Sequence, residues 1–182
     1  KEKIKSVKSL VDVLTLTATP IPRTLKQSLV GLKNISIINT PPKSRRPIKT
    51  FVNYFDWKKV FRVIEREVKR GGQVYFVHNK IETLSFFAEK IQKQFSNIKI
   101  KAVHGRLHGR TLEAVMLGFF KNEIDVLCCT TIVGSGLDVS NANTIIVNNA
   151  HHFGLSQLYQ LRGRVGRSVR QAFCYLLIPK GS

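Results

Sequence analysis

Short apolar runs rich in β-branched residues alternate with stretches of helical periodicity along most of the chain, and this alternation restricts the possible fold more than any other feature. The apolar runs have the length of ordinary strands, and the stretches between them repeat apolar residues every three or four positions. We predict strands at 11–17, 35–38, 49–54, 73–77, 98–103, 124–129, 144–148 and 172–178. Strands that alternate with helices indicate an α/β fold, in which a parallel sheet carries helices on both faces.

The predicted helices have recognisable ends. Asp56 is an N-cap candidate for a helix over 57–68, and Gly71 and Gly72 follow its last turn. Asn79 is expected to cap the next helix, with Glu82 three residues later as its capping-box partner. Further helices are predicted at 23–32, 112–119 and 155–165.

The carboxyl ends of the predicted strands mark the expected working edge of the sheet. In parallel sheets, ligands bind at the loops that follow these ends. The loops after Val77, Val103, Cys129 and Asn148 are therefore expected to lie together.

The segment 40–49 (TPPKSRRPIK) interrupts the alternation with three prolines and four basic residues. Because proline fixes φ and lacks an amide donor, we expect an extended connector here. We place a domain boundary within it, between 1–45 and 46–182.

The charge of the chain points to a polyanionic partner. Thirty Lys and Arg residues against eleven Asp and Glu residues give a formal net charge of +19 over 182 residues. Such a field attracts nucleic acid and raises its local concentration. Solubility alone is better served by charges of both signs.

The three cysteines, Cys128, Cys129 and Cys174, form no CxxC pair and have no zinc-ligand spacing with the histidines. We predict buried free thiols, no metal site and a cytoplasmic protein. No run of about 20 apolar residues occurs, so we expect neither a membrane span nor a secretion signal.

The stretch 157–168 (QLYQLRGRVGRS) is the most informative motif. If it is helical, Gln160, Arg164 and Arg167 share one face at positions i, i+4 and i+7. Paired guanidinium groups suit a phosphate chain, because they bind phosphate oxygens bidentately and keep their charge. Gly163 and Gly166 are costly inside a helix and favour close approach to another group. The alternative is a solvated basic face.

Two further stretches follow predicted strands. In 126–138 (VLCCTTIVGSGLD), threonine hydroxyls and a glycine-rich turn favour phosphate binding, Gly136 allows close approach of a ligand, and Asp138 is suited to accept from a sugar hydroxyl. The alternative there is a structural turn with Asp138 as a cap. In 103–107 (VHGRL), His104, Gly105 and Arg106 are suited to an anion, although a lone histidine is usually structural.

Two signatures of nucleotide hydrolysis do not occur in the sequence. There is no GxxxxGK[ST] P-loop and no adjacent acidic pair that would hold a metal ion. Because ATP hydrolysis needs both a P-loop and a metal-binding acidic pair, we expect the chain not to hydrolyse ATP by itself.

Five stretches occur in the order found in superfamily 2 helicases and translocases. TATPIPR (17–23) resembles motif III, GQVYFVHN (72–79) motif IV, VHGRL motif IVa, CCTTIVGSGLD (128–138) motif V and QLYQLRGRVGR (157–167) motif VI. Within the superfamily, the chain resembles the bacterial transcription-repair coupling factors more than the RecG-type helicases. The latter share TATPIPRTL and the motif VI run but usually carry a longer insertion after motif IV.

The resemblance implies a RecA-like second helicase lobe at 46–182, preceded at 1–45 by the tail of a first lobe and a connector. It implies that ATP and Mg²⁺ are bound mainly by that first lobe, so that no cofactor is expected in this chain alone. The implied partners are double-stranded DNA, the first lobe, and RNA polymerase and excision-repair proteins through domains outside this chain.

The resemblance also implies roles for individual residues. Arg167, with Arg164, would be the arginine finger that reaches ATP, and Gln160 would order that network. The nucleotide side would further be lined by Gly136 and Asp138. DNA phosphates would be contacted by Thr130, His104, Gly105, Arg106 and Asn79.

The same resemblance assigns Thr17 and Thr19 to coupling between nucleotide and DNA. One departure from the family pattern occurs in motif V, where Gly134 and Ser135 stand in place of a sequence that usually contains a glutamate.

Two alternatives explain part of the pattern. A non-enzymatic basic module would account for the charge and for the missing P-loop, but not for TATPIPR or for the spacing of all five stretches. A RecG-type fork-remodelling helicase would share the motifs. We expect the isolated chain to bind duplex DNA weakly and with steep salt dependence.

Overall fold

The computed structural model describes residues 46–131 and 138–181, together with the single residues 16, 36 and 38. The chain divides into two compact units, Lys1–Ile38 and Asn39–Ser182. The elements predicted before residue 46, with Thr17 and Thr19, fall outside the described residues, and so do Gly134, Ser135 and Gly136. The predicted domain boundary at residue 45 stays a prediction.

A parallel sheet of six strands forms the centre of the second unit. The strand order is β1-β6-β5-β2-β4-β3, and every neighbouring pair is parallel. Residues of β2, β4 and β5 are buried on both faces, as expected where helices cover both sides. The α/β fold predicted from the sequence is confirmed. The strands are β1 (Lys49–Tyr54), β2 (Gln73–Val77), β3 (Ile100–Val103), β4 (Val126–Cys129), β5 (Ala142–Val147) and β6 (Phe173–Ile178).

In the described ranges 46–131 and 138–181, four helices cover the sheet, two on each face, and a short 3-10 turn (Ala150–His152) precedes the last of them. The first two pack through Ile64 and Leu84 against Phe76 in one apolar core. The other two pack through Phe119 and Leu161 in a second core on the opposite face. The helices are α1 (Trp57–Lys69), α2 (Ile81–Gln94), α3 (Gly109–Phe120) and α4 (Leu155–Arg162).

Helix α1 has the ends that the sequence predicts. The Asp56 carboxylate accepts a hydrogen bond from the Lys58 amide at 3.0 Å, which satisfies one free donor of the first turn. Gly71, just beyond the helix, has a φ of +74°, a conformation that glycine adopts without a steric penalty.

The predicted cap of α2 is wrong. The helix begins at Ile81, so that Lys80 holds the N-cap position and makes no side-chain cap hydrogen bond. Asn79 lies one residue earlier and is exposed. The supposed capping-box partner, Glu82, instead lies 3.7 Å from Arg106 in the next loop.

The predicted extent of α4 is also wrong, and this affects the interpretation of its arginines. The helix ends at Arg162 and Gly163 occupies the C-cap. Gly166 has a φ of +76°. Since Arg164 and Arg167 follow the helix, the argument that places them on one helical face with Gln160 fails.

The three cysteines are free and buried, as predicted. Burial raises the pKa of both Cys129 and Cys174 to about 12, so that these thiols stay protonated and unreactive at neutral pH. Within the described part of the chain, no helix is long and apolar enough to cross a membrane.

Candidate functional site

Four residues form a row across the carboxyl edge of the sheet. Asn148, His78, Thr130 and His104 each follow the last residue of β5, β2, β4 and β3, and those last residues are in register. The backbone amides of the first three continue the parallel ladder, at N···O distances between 2.9 and 3.4 Å. The prediction that these loops share one edge is confirmed.

Two buried polar atoms in this row have no hydrogen-bond partner among the described residues. They are Thr130 Oγ1 and His104 Nδ1. An unsatisfied buried polar atom costs about 1–3 kcal/mol, and native proteins usually avoid it. Because β3 and β4 are paired, the two atoms belong to adjacent loops. They suit a ligand that carries several hydrogen-bonding oxygens, such as a phosphate.

His78 and Asn148 hold the centre of the row together. Asn148 Nδ2 lies 3.0 Å from His78 Nδ1, and His78 Nε2 lies 2.7 Å from Thr83 Oγ1. Burial, and secondarily the charge of Lys80, lowers the pKa of His78, so that the ring is neutral at pH 7. In a neutral ring, the Asn148 amide donates to Nδ1 and the Nε2–H group donates to Thr83.

This network lies at the point where the sheet reverses its order. The neighbouring strands β2 and β5 continue in opposite directions, β2 toward β3 and β5 toward β6. In open α/β sheets, such a switch point is the usual place for a ligand. Sequence reasoning missed His78 and Asn148 as a pair, although both directly follow buried strands. The network fixes the backbone that carries the exposed Asn79.

The loop that follows β3 is open to solvent. Gly105 and Arg106 are exposed. Arg106 Nη1 lies 3.7 Å from Glu82 Oε1, and both side chains are more than 70% exposed. A pair with this geometry contributes little to stability, so Arg106 is free to turn toward an anion.

The second group of predicted site residues lies at the opposite, amino edge of the sheet. Helix α4 runs back along the sheet, and the segment after it is anchored where Ser168 Oγ donates to Asn143 Oδ1 at 2.8 Å, near the start of β5. Arg167 and its partner Asp138 belong to this end. The expectation of a single working edge is therefore wrong for these residues. The backbone of this segment is therefore anchored toward the end of the strands opposite the carboxyl-edge row, while the charges of Arg164 and Arg167 reach Tyr75 in the middle of β2.

The two arginines of this segment differ in their partners. Arg167 Nη1 lies 2.9 Å from Asp138 Oδ1, and these side chains are 30% and 67% exposed. Arg164 is half-buried, its backbone amide donates to the Leu161 carbonyl at 3.0 Å, and its side chain makes no hydrogen bond or ion pair with any described residue. Gln160 lies on the exposed side of α4, in its last turn.

Tyr75, in the middle of β2, is an unpredicted member of this group. Burial, and then the neighbouring Cys129, raises its pKa well above the ordinary value, whereas the charges of Arg164 and Arg167 lower it. The phenol therefore stays protonated and lies within the electrostatic range of both guanidinium groups. Nothing in its sequence position distinguishes it from other core residues of a buried strand.

The chain thus presents two anion-attracting groups at the two ends of one sheet. The carboxyl-edge row offers a hydroxyl, a ring nitrogen and an exposed arginine, and the segment after α4 offers two guanidinium groups. A phosphate backbone suits the first group, because its contacts are distributed over neighbouring loops. A short chain of phosphates suits the second.

Comparison with known proteins places this geometry in a family. The family described as helicase conserved C-terminal domain matches residues 57–169. Among curated proteins, the transcription-repair-coupling factor of Myxococcus xanthus is 52% identical over 179 residues, which cover 98% of this chain and 15% of that protein. That of Bacillus subtilis is 51% identical over 175 residues, with coverage of 96% and 15%.

Solved structures of helicases share the fold of this chain. A structure of RecG bound to a three-way DNA junction has a TM-score of 0.75 and 34% identity, and covers 91% of this chain and 22% of its own. Domain 2 of the DEAD-box helicase Mss116p, bound to an RNA duplex, has a TM-score of 0.61 at 19% identity, over 73% of this chain and 55% of its own, a likeness of fold. The chain spans about 15% of the length of the two coupling factors.

Proposed function

The chain belongs to the family of helicase conserved C-terminal domains, and from this premise we propose that it is the second motor lobe of an ATP-dependent double-stranded DNA translocase. We place that translocase in transcription-coupled repair, because the coupling factors of two bacteria share half of its residues over nearly its whole length. RNA polymerase and excision-repair proteins would then be contacted through other regions of the full-length protein.

One observation carries the proposal: two arginines follow α4, and neither side chain is ion-paired with a buried carboxylate among the described residues. Arg164 has no ionic partner among the described residues, and Arg167 is paired only with a largely exposed carboxylate. Because the Asp138 side chain is 67% exposed, solvent screens this pair, and a phosphate can replace the carboxylate at small cost. Guanidinium groups in this setting are suited to complete a nucleotide site formed by an opposing lobe.

In this proposal the first lobe holds ATP and Mg²⁺, and Arg167 reaches the transferred phosphoryl group. The guanidinium stabilises the charge that develops there, and Arg164 adds a second positive charge beside it. Asp138 holds Arg167 in place until the nucleotide arrives. Gln160 orders the same segment from the last turn of α4.

The DNA would lie at the carboxyl-edge row. Thr130 Oγ1 and His104 Nδ1 gain the partners that they lack when phosphate oxygens are present. Arg106 and Asn79 reach the same backbone from exposed loops. These groups address phosphates rather than base edges, so the proposed binding is independent of sequence.

The sheet joins the two functions mechanically. Its central strands are buried on both faces and run from the arginine segment to the DNA row. A closely packed element of this kind moves as a rigid body. Closure of the lobes on ATP at one end would therefore displace the DNA row at the other, and hydrolysis would reverse it.

The decisive experiment replaces the arginine finger in the full-length protein. Arg167→Ala is expected to reduce DNA-stimulated ATP hydrolysis by about 10³-fold or more while DNA affinity stays within about 2-fold. Arg170→Ala, which removes an exposed arginine of the same segment, is the matched control and should retain turnover. Unchanged hydrolysis by the Arg167 variant would remove the basis of the proposal.

A mixing experiment separates the motor from a passive binding module. The chain by itself is expected to be inactive, and adding it to a separately prepared first lobe should produce ATP hydrolysis. A mere binding module would give no such gain. A RecG-type fork motor is the second candidate, favoured by the structural likeness at 34% identity. The two translocases are distinguished by whether the full-length protein displaces a stalled RNA polymerase.

A further inference from the structure

A recess of about 210 Å³ opens between α1 and the sheet, and we call it the α1 recess. It lies where α1 packs on β2 and β5, beside β6 and the edge strand β1. Val60 and Val63 of α1 form one side, and Ile146 and Leu177 line it from the sheet. Small-molecule sites usually have about 300–1,000 Å³, so this recess fits a single side chain better than a whole ligand.

An aromatic group supports the mouth of the α1 recess. The ring of Tyr175 stacks on Phe51 with centroids 5.2 Å apart, and its hydroxyl accepts a hydrogen bond from Arg66 at 2.5 Å. The Arg66 guanidinium also lies 4.6 Å from the centre of the Phe173 ring. Arg66 is therefore held in place before any partner arrives, which reduces the entropy lost on binding.

The rim of the α1 recess is positively charged and uncompensated. Lys59, Arg62 and Arg66 line it, and none of the described residues that line it carries a carboxylate. The two acidic residues of α1, Glu65 and Glu67, are each paired with another cation of the same segment. Among the described residues, none of the three lining cations makes an ion pair.

We propose that the α1 recess docks a linear protein segment in which one large apolar side chain is flanked by aspartates or glutamates. The apolar side chain enters between α1 and the sheet, and the carboxylates meet the cations on the rim. Helix-face and groove recognition of this type combines a buried anchor with charge complementarity. The contact is separate from the motor role, since no predicted nucleotide or DNA residue lines the recess.

Nucleic acid fits the α1 recess less well than an acidic segment does. The apolar floor of the recess has no hydrogen-bond donor for a phosphate, and a phosphate could bind the exposed cations of the rim without entering the recess. Single strands bind through aromatic rings with a free face, but the rings here already stack on one another, with Tyr175 between Phe51 and Phe173. The occupant is therefore a protein segment.

The test uses the 182-residue chain and short fluorescein-labelled peptides, read by fluorescence anisotropy. The first probe has one leucine flanked on both sides by glutamates, and the second has alanine in place of that leucine. The chain should bind the leucine probe about 10-fold more tightly than the alanine probe, because only leucine fills the recess. Binding should also shift the NMR resonances of Ile146 and Leu177.

Charge reversals distinguish the rim from the general charge of the chain. Lys59→Glu and Arg62→Glu should each weaken binding of the leucine probe about 10-fold, whereas Lys93→Glu, an exposed lysine of α2, should change it less than about 2-fold. Circular dichroism checks that each variant is folded.

Three results would overturn the proposal: equal affinity for both peptides, equal losses for all three reversals, or no binding of the leucine probe. If Lys59→Glu weakens the binding of a duplex DNA fragment more than it weakens the binding of the leucine peptide, the rim binds nucleic acid instead.

Discussion

Gly166 allows a quantitative test of how the arginine segment is held. Its φ of +76° disfavours any residue with a Cβ atom, and a Cβ added there would lie 3.0 Å from Ile48 Cγ1 and 3.2 Å from Ala172 Cβ. The backbone term costs about 1–2 kcal/mol for alanine. Overpacking adds about 1 kcal/mol, because half-buried Ile48 can shift to relieve part of it. Gly166→Ala should therefore lower the free energy of unfolding by about 2–3 kcal/mol.

Substitutions at two other glycines separate the backbone cost from the packing cost. Gly71 has a φ of +74°, but an added Cβ would make only ordinary contacts with the Arg170 guanidinium, at 3.6 Å from Nη1 and 4.0 Å from Nη2, so Gly71→Ala should cost about 1–2 kcal/mol. Gly109, in α3, would meet nothing within 4 Å, so Gly109→Ala should cause no loss. Urea denaturation of the chain, analysed by linear extrapolation, measures all three values.

The contact between residue 166 and Ile48 can be removed by a second substitution. In the Ile48→Ala background, Gly166→Ala should cost less than in the native background, by up to about 1 kcal/mol, because the Ile48 atoms are gone and only Ala172 Cβ stays close. If Gly166→Ala costs no more than Gly71→Ala in the native background, the close packing against Ile48 does not constrain the segment and the reasoning is refuted.

Two more predictions concern buried polar networks. The pKa of His78 is lower in the folded chain than the unfolded value of about 6.5, so the unfolded state binds more protons and the free energy of unfolding should fall as the pH drops below about 6.5. His78→Gln should flatten this decline between about pH 6.5 and 5.5 in urea titrations. An unchanged slope would contradict the prediction. Glu67→Ala should lower the free energy of unfolding by about 3–4 kcal/mol in the same assay, because buried Glu67 accepts hydrogen bonds from both Arg70 and Thr144. Glu65→Ala removes only an exposed ion pair and should cost less than about 0.5 kcal/mol. Equal losses for the two variants would refute the expected difference.

Local periodicity was sufficient to predict most elements of the described part of the chain. The five predicted strands from 73 onward and that at 49–54 each overlap an observed strand. The central strands were predictable because a parallel strand buried on both faces needs a run of apolar residues. The start of α1 was also predictable, since a carboxylate at Asp56 caps the next turn by local geometry alone.

The errors occur where a distant contact overrides a local preference. Asn79 is a good N-cap by residue type, but His78 beside it is held by Asn148, 70 residues away, and the helix starts later. The apolar pattern 155–165 continues past the end of α4, because Val165 packs into the core from the segment after the helix. Apolar spacing alone does not distinguish these two cases.

The motif resemblance predicts which residues form the candidate site, and their roles stay predictions, but it does not predict how these residues are arranged. Motif resemblance identified Arg164, Arg167 and Asp138 as one group, and the structure brings Arg167 and Asp138 within 2.9 Å. It did not reveal that this group and the Thr130–His104 loops lie at opposite ends of the sheet. Residues without a motif, such as Tyr75, were not found at all.

The amino-acid sequence by itself determined the net charge, the alternation of elements and the identity of the residues that bind anions in the proposal, because these depend on residue type and local spacing. Only the tertiary structure decided the strand order, the Glu67–Thr144 contact over 77 residues and the α1 recess. Such features depend on which strands pair and in which register, and that choice is a balance of many contacts between residues far apart in the chain.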